Sequence, residues 1–293
     1  MLRAKILSEV RHFFCRRGYL EIETPHRLPE PIPELYTDPV PSGNWVLHTS
    51  PEIFMKRMLS KGYSKIFQIC RCFRSHERGQ KHLPEFTLLE WYCAGATYLD
   101  LMGDCEALFQ HVASALELGN NLNFQGKTVS LATPWERLTM AEAFKRFSTA
   151  SIQTAISEGR FDEVIALEIE PVLGNTTPVF LYDYPIEHGA LARRNPEDPE
   201  LAERFELYVA GVELCNGFSE LTDPEEQRKR FEAVLKTRAG LGKPVYPLCE
   251  RFLKDLEDMP ESAGNALGLD RMIMLFADEP TIDAVVAFTP EEL

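Results

Sequence analysis

The run KIFQICRCFRSHERGQKHLPEFTLLEWY, residues 65–92, constrains the fold more than any other part of the chain. Residues 65–73 alternate well enough for a strand, as do residues 86–92, and both are rich in β-branched or aromatic side chains. Between them SHERGQKHLPE is polar, holds one Gly and one Pro, and is too long for a tight turn. Two strands joined in this way make an antiparallel pair whose loop is available for function.

The surrounding segments extend that pair into an α+β fold, an antiparallel sheet flanked by helices. Residues 2–14 read as an amphipathic helix with Leu2, Ile6, Val10 and Phe13 or Phe14 on one side, and Gly18 is its expected stop. A short strand, YLEIE, ends at Pro25, and residues 29–41 read as an extended surface loop. A helical pattern spans Leu99 to Leu118. PVFLYDYP is a further strand, and RFELYVAGVELCNGFSEL is one long strand or two interrupted at Gly211. Asp223 is placed to cap a helix that Pro224 opens, with Glu226 closing a capping box. SAGNALGLDRMIMLF reads as a glycine-punctuated turn running into an apolar helix, with Arg271 in its first turn. The whole of 1–293 is expected to be one domain, with a variable insertion at about 119–178.

Charge and cysteine usage narrow the function classes. A net charge of -14 argues against nonspecific binding to nucleic acid, which draws its affinity from Lys and Arg. No apolar run reaches the ~20 residues of a spanning helix, and MLRAKILSEVRHFF lacks a signal-peptide core, so a cytoplasmic protein is expected. The seven cysteines fit reduced thiols used in packing. Cys70 and Cys72 flank Arg71 and are expected to point to opposite faces of the strand, a poor geometry for joint chelation.

Two stretches carry chemistry. Arg74 ends one strand, Arg78, Lys81 and His82 lie in the loop, and Phe86 opens the return strand. Cations there suit a triphosphate and the aromatic suits a purine, although a solvated hairpin tip has the same composition. No Walker-type or GxGxxG loop is present. In GVELCNGFSEL the residues between the apolar positions include Glu213, Asn216 and Glu220, with Glu206 just upstream. A solvated acidic strand face is the plain reading. A cation receptor is the other.

In order along the chain, these pieces resemble the catalytic domain of class II aminoacyl-tRNA synthetases, and specifically the lysyl branch. RGYLEIETP is similar to the first class II motif, a dimer-forming helix and strand. IFQICRCFRSHERGQKHLPEFTLLEWY is similar to the second and GLDRMIMLF to the third, while HTSPEIFMKRML, ALARRNPEDP and GVELCNGFSELTD resemble lysyl signatures. The resemblance implies ATP and Mg²⁺ as cofactors. It implies that Arg74 grips the α-phosphate, His82 lies near the outer phosphates, Phe86 stacks on adenine, and Arg271 serves the γ-phosphate side. Arg74 and Arg271 are the expected catalytic residues. Glu206 and Glu213 are implied as Mg²⁺ ligands, Glu206 also on the ATP side. Glu52, Glu90, Tyr92, Asn216 and Glu220 would face the amino acid, in an acidic pocket without Arg or Lys. Where the family has Arg-any-Glu after the second motif's strand, this chain has His76, with Glu77 next to it.

Lysyl-tRNA synthetases carry an anticodon-binding barrel, and here the first motif begins almost at Met1, so none is expected. The resemblance is closest to the short lysyl-synthetase paralogues that lysylate translation elongation factor P. LCNGFSELTD shares their frame, and Ala266 in ALGLDR matches their Ala where lysyl-tRNA synthetases have Gly. That branch implies lysine or (R)-β-lysine as substrate, elongation factor P as acceptor and a homodimer, with tRNA not an expected partner. The alternatives are a truncated enzyme acylating tRNA and a non-catalytic lysine sensor, the latter supported only by His76.

Overall fold

A computed structural model describes residues 1–293. Its frame is an eight-stranded sheet. The strands are β1 (Leu20–Glu21), β2 (Lys65–Phe73), β3 (Glu85–Ala94), β4 (Glu136–Thr139), β5 (Val179–Pro185), β6 (Leu201–Val209), β7 (Val212–Ser219) and β8 (Ser262–Gly268). They lie in the order β1-β2-β3-β8-β7-β6-β5-β4. Every pairing from β2 to β5 is antiparallel, and the edge strands β1 and β4 join parallel to their neighbours. The antiparallel α+β expectation therefore holds.

Strand alternation gives the sheet two different faces. Leu89, Trp91, Ala263 and Leu267 enter the main apolar core, together with the buried sides of helices α1 (Leu2–Arg16) and α3 (Tyr98–Ala115). Glu90, Tyr92, Gly264 and Ala266 take the other face, where a smaller cluster gathers Ile53, Met55 and Leu59 of α2 (Glu52–Leu59) and Phe231 of α4 (Pro224–Gly240). Tyr92 and Phe218 supply the apolar floor of that cluster.

Several local expectations change. SAGNALG is not a turn but the central strand β8. Its glycine is needed for space: a methyl built on Gly264 would collide with the Tyr92 ring and with Glu220 Oε1. The helix that follows, α5 (Leu269–Phe276), does hold Arg271 in its first turn. The RFELYVAGVELCNGFSEL stretch is a hairpin, β6 and β7, turning at Ala210 and Gly211 in the left-handed region. Asp223 caps α4 through the Glu225 and Glu226 amides, while the Glu226 carboxylate turns to Arg194 and Arg230 instead of closing a box. Cys70 and Cys72 share one face, their Sγ atoms 3.9 Å apart, because residues two apart in a strand point the same way.

The 29–41 loop is fixed, not a loose surface strand. Arg238, fully buried on α4, donates to the carbonyls of Glu34 at 2.8 Å and Pro244 at 3.0 Å and pairs with Asp38 at 2.7 Å. The Ser75 amide then bonds the Asp38 carbonyl at 2.7 Å, which draws this loop over the loop between β2 and β3. The 119–178 segment forms a hairpin (Asn121–Phe124 with Lys127–Ser130), strand β4 and short helices that pack their own apolar cluster around Leu181 and Tyr208.

The junction between β8 and α5 is held by Asp270, whose buried carboxylate accepts from Arg3 at 2.6 Å and from the Thr87 amide at 2.6 Å. Removing it leaves the buried Thr87 amide without its acceptor and takes the ion-pair partner from Arg3, which keeps only the Val285 carbonyl and Thr87 Oγ1. Asp270→Ala is expected to lower the unfolding free energy by about 2–4 kcal/mol, read by urea titration. A loss below about 0.5 kcal/mol would show that the junction is held elsewhere.

Candidate active site

A cavity of about 280 Å³ opens on the face formed by β3, β8 and β7. Cross-strand register sets its floor. Gln68, Glu90, Ala266, Asn216 and Glu206 lie side by side across β2, β3, β8, β7 and β6. Strict alternation from Asn216 would send Glu213 into the core. A bulge at Leu214 resets the phase, so that Leu214 and Cys215 both enter the core and Glu213 returns to the cavity. Glu52, Arg74, His82, Phe86, Glu90, Tyr92, Glu213, Asn216, Ala266 and Arg271 all line this one cavity.

At one end the carboxylates converge. Ser50 Oγ donates to Glu90 Oε1 at 2.5 Å and Tyr92 OH donates to Glu90 Oε2 at 2.9 Å. The Glu52 amide in turn bonds Ser50 Oγ at 3.0 Å. Glu220 lies just behind the wall at Gly264, fully buried, with Oε1 lacking any hydrogen-bond partner. Burial pushes the Glu90 carboxyl well above its ordinary range, and the nearby Glu52 charge adds to this. Burial likewise raises Glu220, to about 8, against the pull of Lys56.

Lys56 corrects the expectation of a pocket without a cation. Its Nζ, completely buried, sits 2.5 Å from both Glu52 and Glu220 and 5.1 Å from the Phe218 ring centroid. Burial opposes the ammonium, but Glu220 and Glu52 outweigh it and hold the Lys56 pKa above its ordinary value. The sequence did carry a signal: Glu52 and Lys56 are four apart on α2, where such pairs meet. Glu34 was also missed. It lines the same end, its pKa raised by burial, with the Arg74 charge working the other way.

At the other end the cations gather. Arg74 stacks on Phe86, 5.0 Å from the ring centroid, and lies 3.8 Å from Glu77. His76 takes a left-handed backbone, φ 67°, and Glu77 rather than His76 lines the cavity. The acid that faces the cavity here is thus one residue beyond position 76. Arg271 donates to His82 Nε2 at 2.6 Å and to the Glu213 carbonyl at 2.8 Å. Burial and then the Arg271 charge lower the His82 pKa, which keeps the ring neutral and able to accept. Lys81 lines the cavity, whereas Arg78 is drawn away to Asp283 and Glu291 at the carboxyl end.

Glu206 stands apart from the cavity wall. Arg204 holds it at 2.6 Å, and Tyr184 and Tyr208 donate to it at 2.7 and 2.6 Å. Arg204 also donates to Asn216 Oδ1 at 3.0 Å, which orients that amide. Burial raises the Glu206 and Glu170 pKa values, and for both the Glu213 charge pushes the same way, so three carboxylates crowd this corner. Carboxylate oxygens are the donors a hard divalent cation takes, but here Arg204 holds Glu206 and Arg271 lies 3.2 Å from Glu213. Glu170 was not legible beforehand, because it arrives from the 119–178 segment.

Residues 1–292 match the family model described as tRNA synthetases class II (D, K and N). The chain is similar to proteins named elongation factor P--(R)-beta-lysine ligase. The one from Edwardsiella ictaluri is 38% identical, over 98% of this chain and 93% of the relative. Those from Salmonella gallinarum and Proteus mirabilis are each 37% identical over the same shares.

The raised Glu220 carboxyl has a measurable consequence. In the folded chain it keeps its proton to about pH 8, while an unfolded glutamate releases it near 4.5. The folded state then binds the extra proton, so this group makes folding less favourable as pH rises through that window. Urea titrations of wild type and Glu220→Gln across the window should give a stability difference that moves against the wild type with rising pH. A difference independent of pH would contradict the assignment.

Proposed function

This chain belongs to the class II tRNA synthetases of the D, K and N type, and on that premise we propose that it is an ATP-dependent ligase. It activates lysine or (R)-β-lysine as an adenylate and transfers it to a lysine ε-amine of elongation factor P. The observation that carries the reading is the acidic end of the cavity, where buried Glu90 and Glu220 keep raised pKa values and Glu220 Oε1 lacks a partner. Lys56 neutralises only part of that acidity, so a second cation is still favoured there and an acidic side chain is repelled.

In this reading Glu220 and Tyr92 receive the distal ammonium, and Glu52, Glu90 and Asn216 hold the amino end. Phe86 stacks on adenine and Glu77 takes the place of the acid that His76 displaces. Glu213, with Glu206 once Arg204 releases it, would hold Mg²⁺, whose chemistry here is to neutralise phosphate charge. A carboxylate oxygen of the amino acid attacks the α-phosphorus, an acyl–phosphate bond forms, and pyrophosphate leaves. Arg74 and Arg271 stabilise the charge that develops, with His82 positioning Arg271. The acceptor ε-amine then attacks the adenylate carbonyl, the amide forms, AMP leaves, and the ammonium proton is lost to solvent or a nearby base. Neutralising that amine at pH 7 costs roughly 4–5 kcal/mol, which burial against Arg74 and the other cavity cations would reduce.

Ala266 sits between Glu90 and Asn216, so its methyl raises the cavity floor beneath the amino end. That favours the isomer whose amino group is displaced to the β-carbon. The same reading makes the protein a cytoplasmic homodimer paired through α1 and edge strand β1, whose Leu20 is half exposed.

Incubation of elongation factor P with ATP, Mg²⁺ and each lysine isomer should add one residue mass, seen by intact-mass analysis; acylation of tRNA alone would overturn the reading. Arg271→Ala should slow pyrophosphate exchange by roughly 100-fold or more. Ala266→Gly should shift preference toward α-lysine by at least about tenfold, and an unchanged ratio of the two adenylation rates would remove the floor argument.

A further inference from the structure

His26, His48 and Cys70 bring their donor atoms within 4.8 Å of one another, outside the cavity. The three come from separate segments, with Cys70 on β2, tied to one another by backbone bonds. The His48 amide bonds the His26 carbonyl at 2.8 Å, and the Phe73 amide of β2 bonds the His48 carbonyl at 3.0 Å. The scaffold is therefore rigid where a ligand set needs it to be.

The His48 ring adds an independent observation. Its Nε2 lies 2.6 Å from the Arg71 carbonyl oxygen. A carbonyl only accepts, so Nε2 carries the proton and Nδ1 keeps an unshared pair. That Nδ1 is buried and has no hydrogen-bond partner, a costly arrangement for a polar atom. An imidazole whose far N–H is tied to a backbone carbonyl while the near nitrogen points a lone pair at nothing is the arrangement of a metal-ligating histidine.

We propose that His26, His48 through Nδ1, and Cys70 form a zinc-binding site. The nitrogen and sulfur donors select a borderline cation over Mg²⁺. Cys72 lies beside the set and is not one of its donors: its Sγ is 3.9 Å from that of Cys70 and 3.9 Å from His48 Nε2, the nitrogen already bonded to the Arg71 carbonyl. Closing the set needs the donors to approach by about 1 Å, and the exposed His26 ring is placed to move.

The site would act as a clamp. His26 and His48 flank the loop that carries Glu34 over the cavity, and Cys70 packs against Leu88, next to Phe86 and Ala266 of the cavity wall. Zinc would tie the base of that loop to β2 without touching the reacting atoms.

The test is zinc content and cobalt spectroscopy on the full chain. Wild type incubated with zinc and passed over a weak chelating resin should retain about one zinc per chain and melt at a higher temperature than the metal-stripped form. The Co²⁺ form should show a thiolate-to-metal charge-transfer band. His26→Ala, at an exposed ring where folding is not at risk, and Cys70→Ser should each lose the retained zinc, and Cys70→Ser should lose or weaken the band. No retained zinc in the wild type, full retention in both variants, or a cobalt spectrum without sulfur ligation would each overturn the proposal.

Discussion

The contact on which the rest depends is the buried ammonium of Lys56 between Glu52 and Glu220. Taking three ionisable groups out of water is unfavourable unless they compensate one another, and here the compensation is incomplete. More carboxyl groups face the cavity end than cations, and the excess shows as raised carboxyl pKa values. The protein thus stores acidity that a cationic ligand can release. The fold holds that acidity in place. Gly264 leaves room for Tyr92 and Glu220, α2 brings Glu52 and Lys56 together, and Ser50 links Glu52 to Glu90.

The opposite end of the cavity has the complementary chemistry. Arg74, Lys81 and Arg271 face the same space within one sheet width of the acids. A molecule with an anionic nucleotide part and a cationic amino acid part meets both potentials at once. Electrostatic preorganisation of that kind needs no nucleophile from the protein. It needs only that the strands hold their register, which the bulge at Leu214 and the small residues of β8 secure.

Much of this was legible from residue order. Antiparallel strands alternate visibly, so β2, β3 and the β6–β7 hairpin could be placed, and the polar loop between β2 and β3 announced itself by length. Glu90 was legible as an outward strand position, whereas Glu52, on α2, came only from the family resemblance, and strict alternation alone would have misplaced Glu213. What failed was three-dimensional. SAGNALG reads as a turn because its glycines look like punctuation, yet Gly264 is there to spare Tyr92 and Glu220 a collision. The pairing of Lys56 with Glu220 spans more than half of the chain and leaves no local trace. The misplacement of Cys72 came from counting: residues two apart share a face. Glu77 was suspected as a substitute for the acid lost at His76, and the left-handed backbone at His76 is what turns it inward.

Isothermal titration of lysine into the protein at neutral pH, in buffers of different ionisation enthalpy, tests the central claim most directly. If the buried acids hold protons that an incoming ammonium displaces, the observed heat will vary with the buffer and report net proton release, while norleucine, which lacks the distal ammonium, will bind weakly and release none. Equal affinity for the two amino acids, with heats that do not depend on the buffer, would contradict the account.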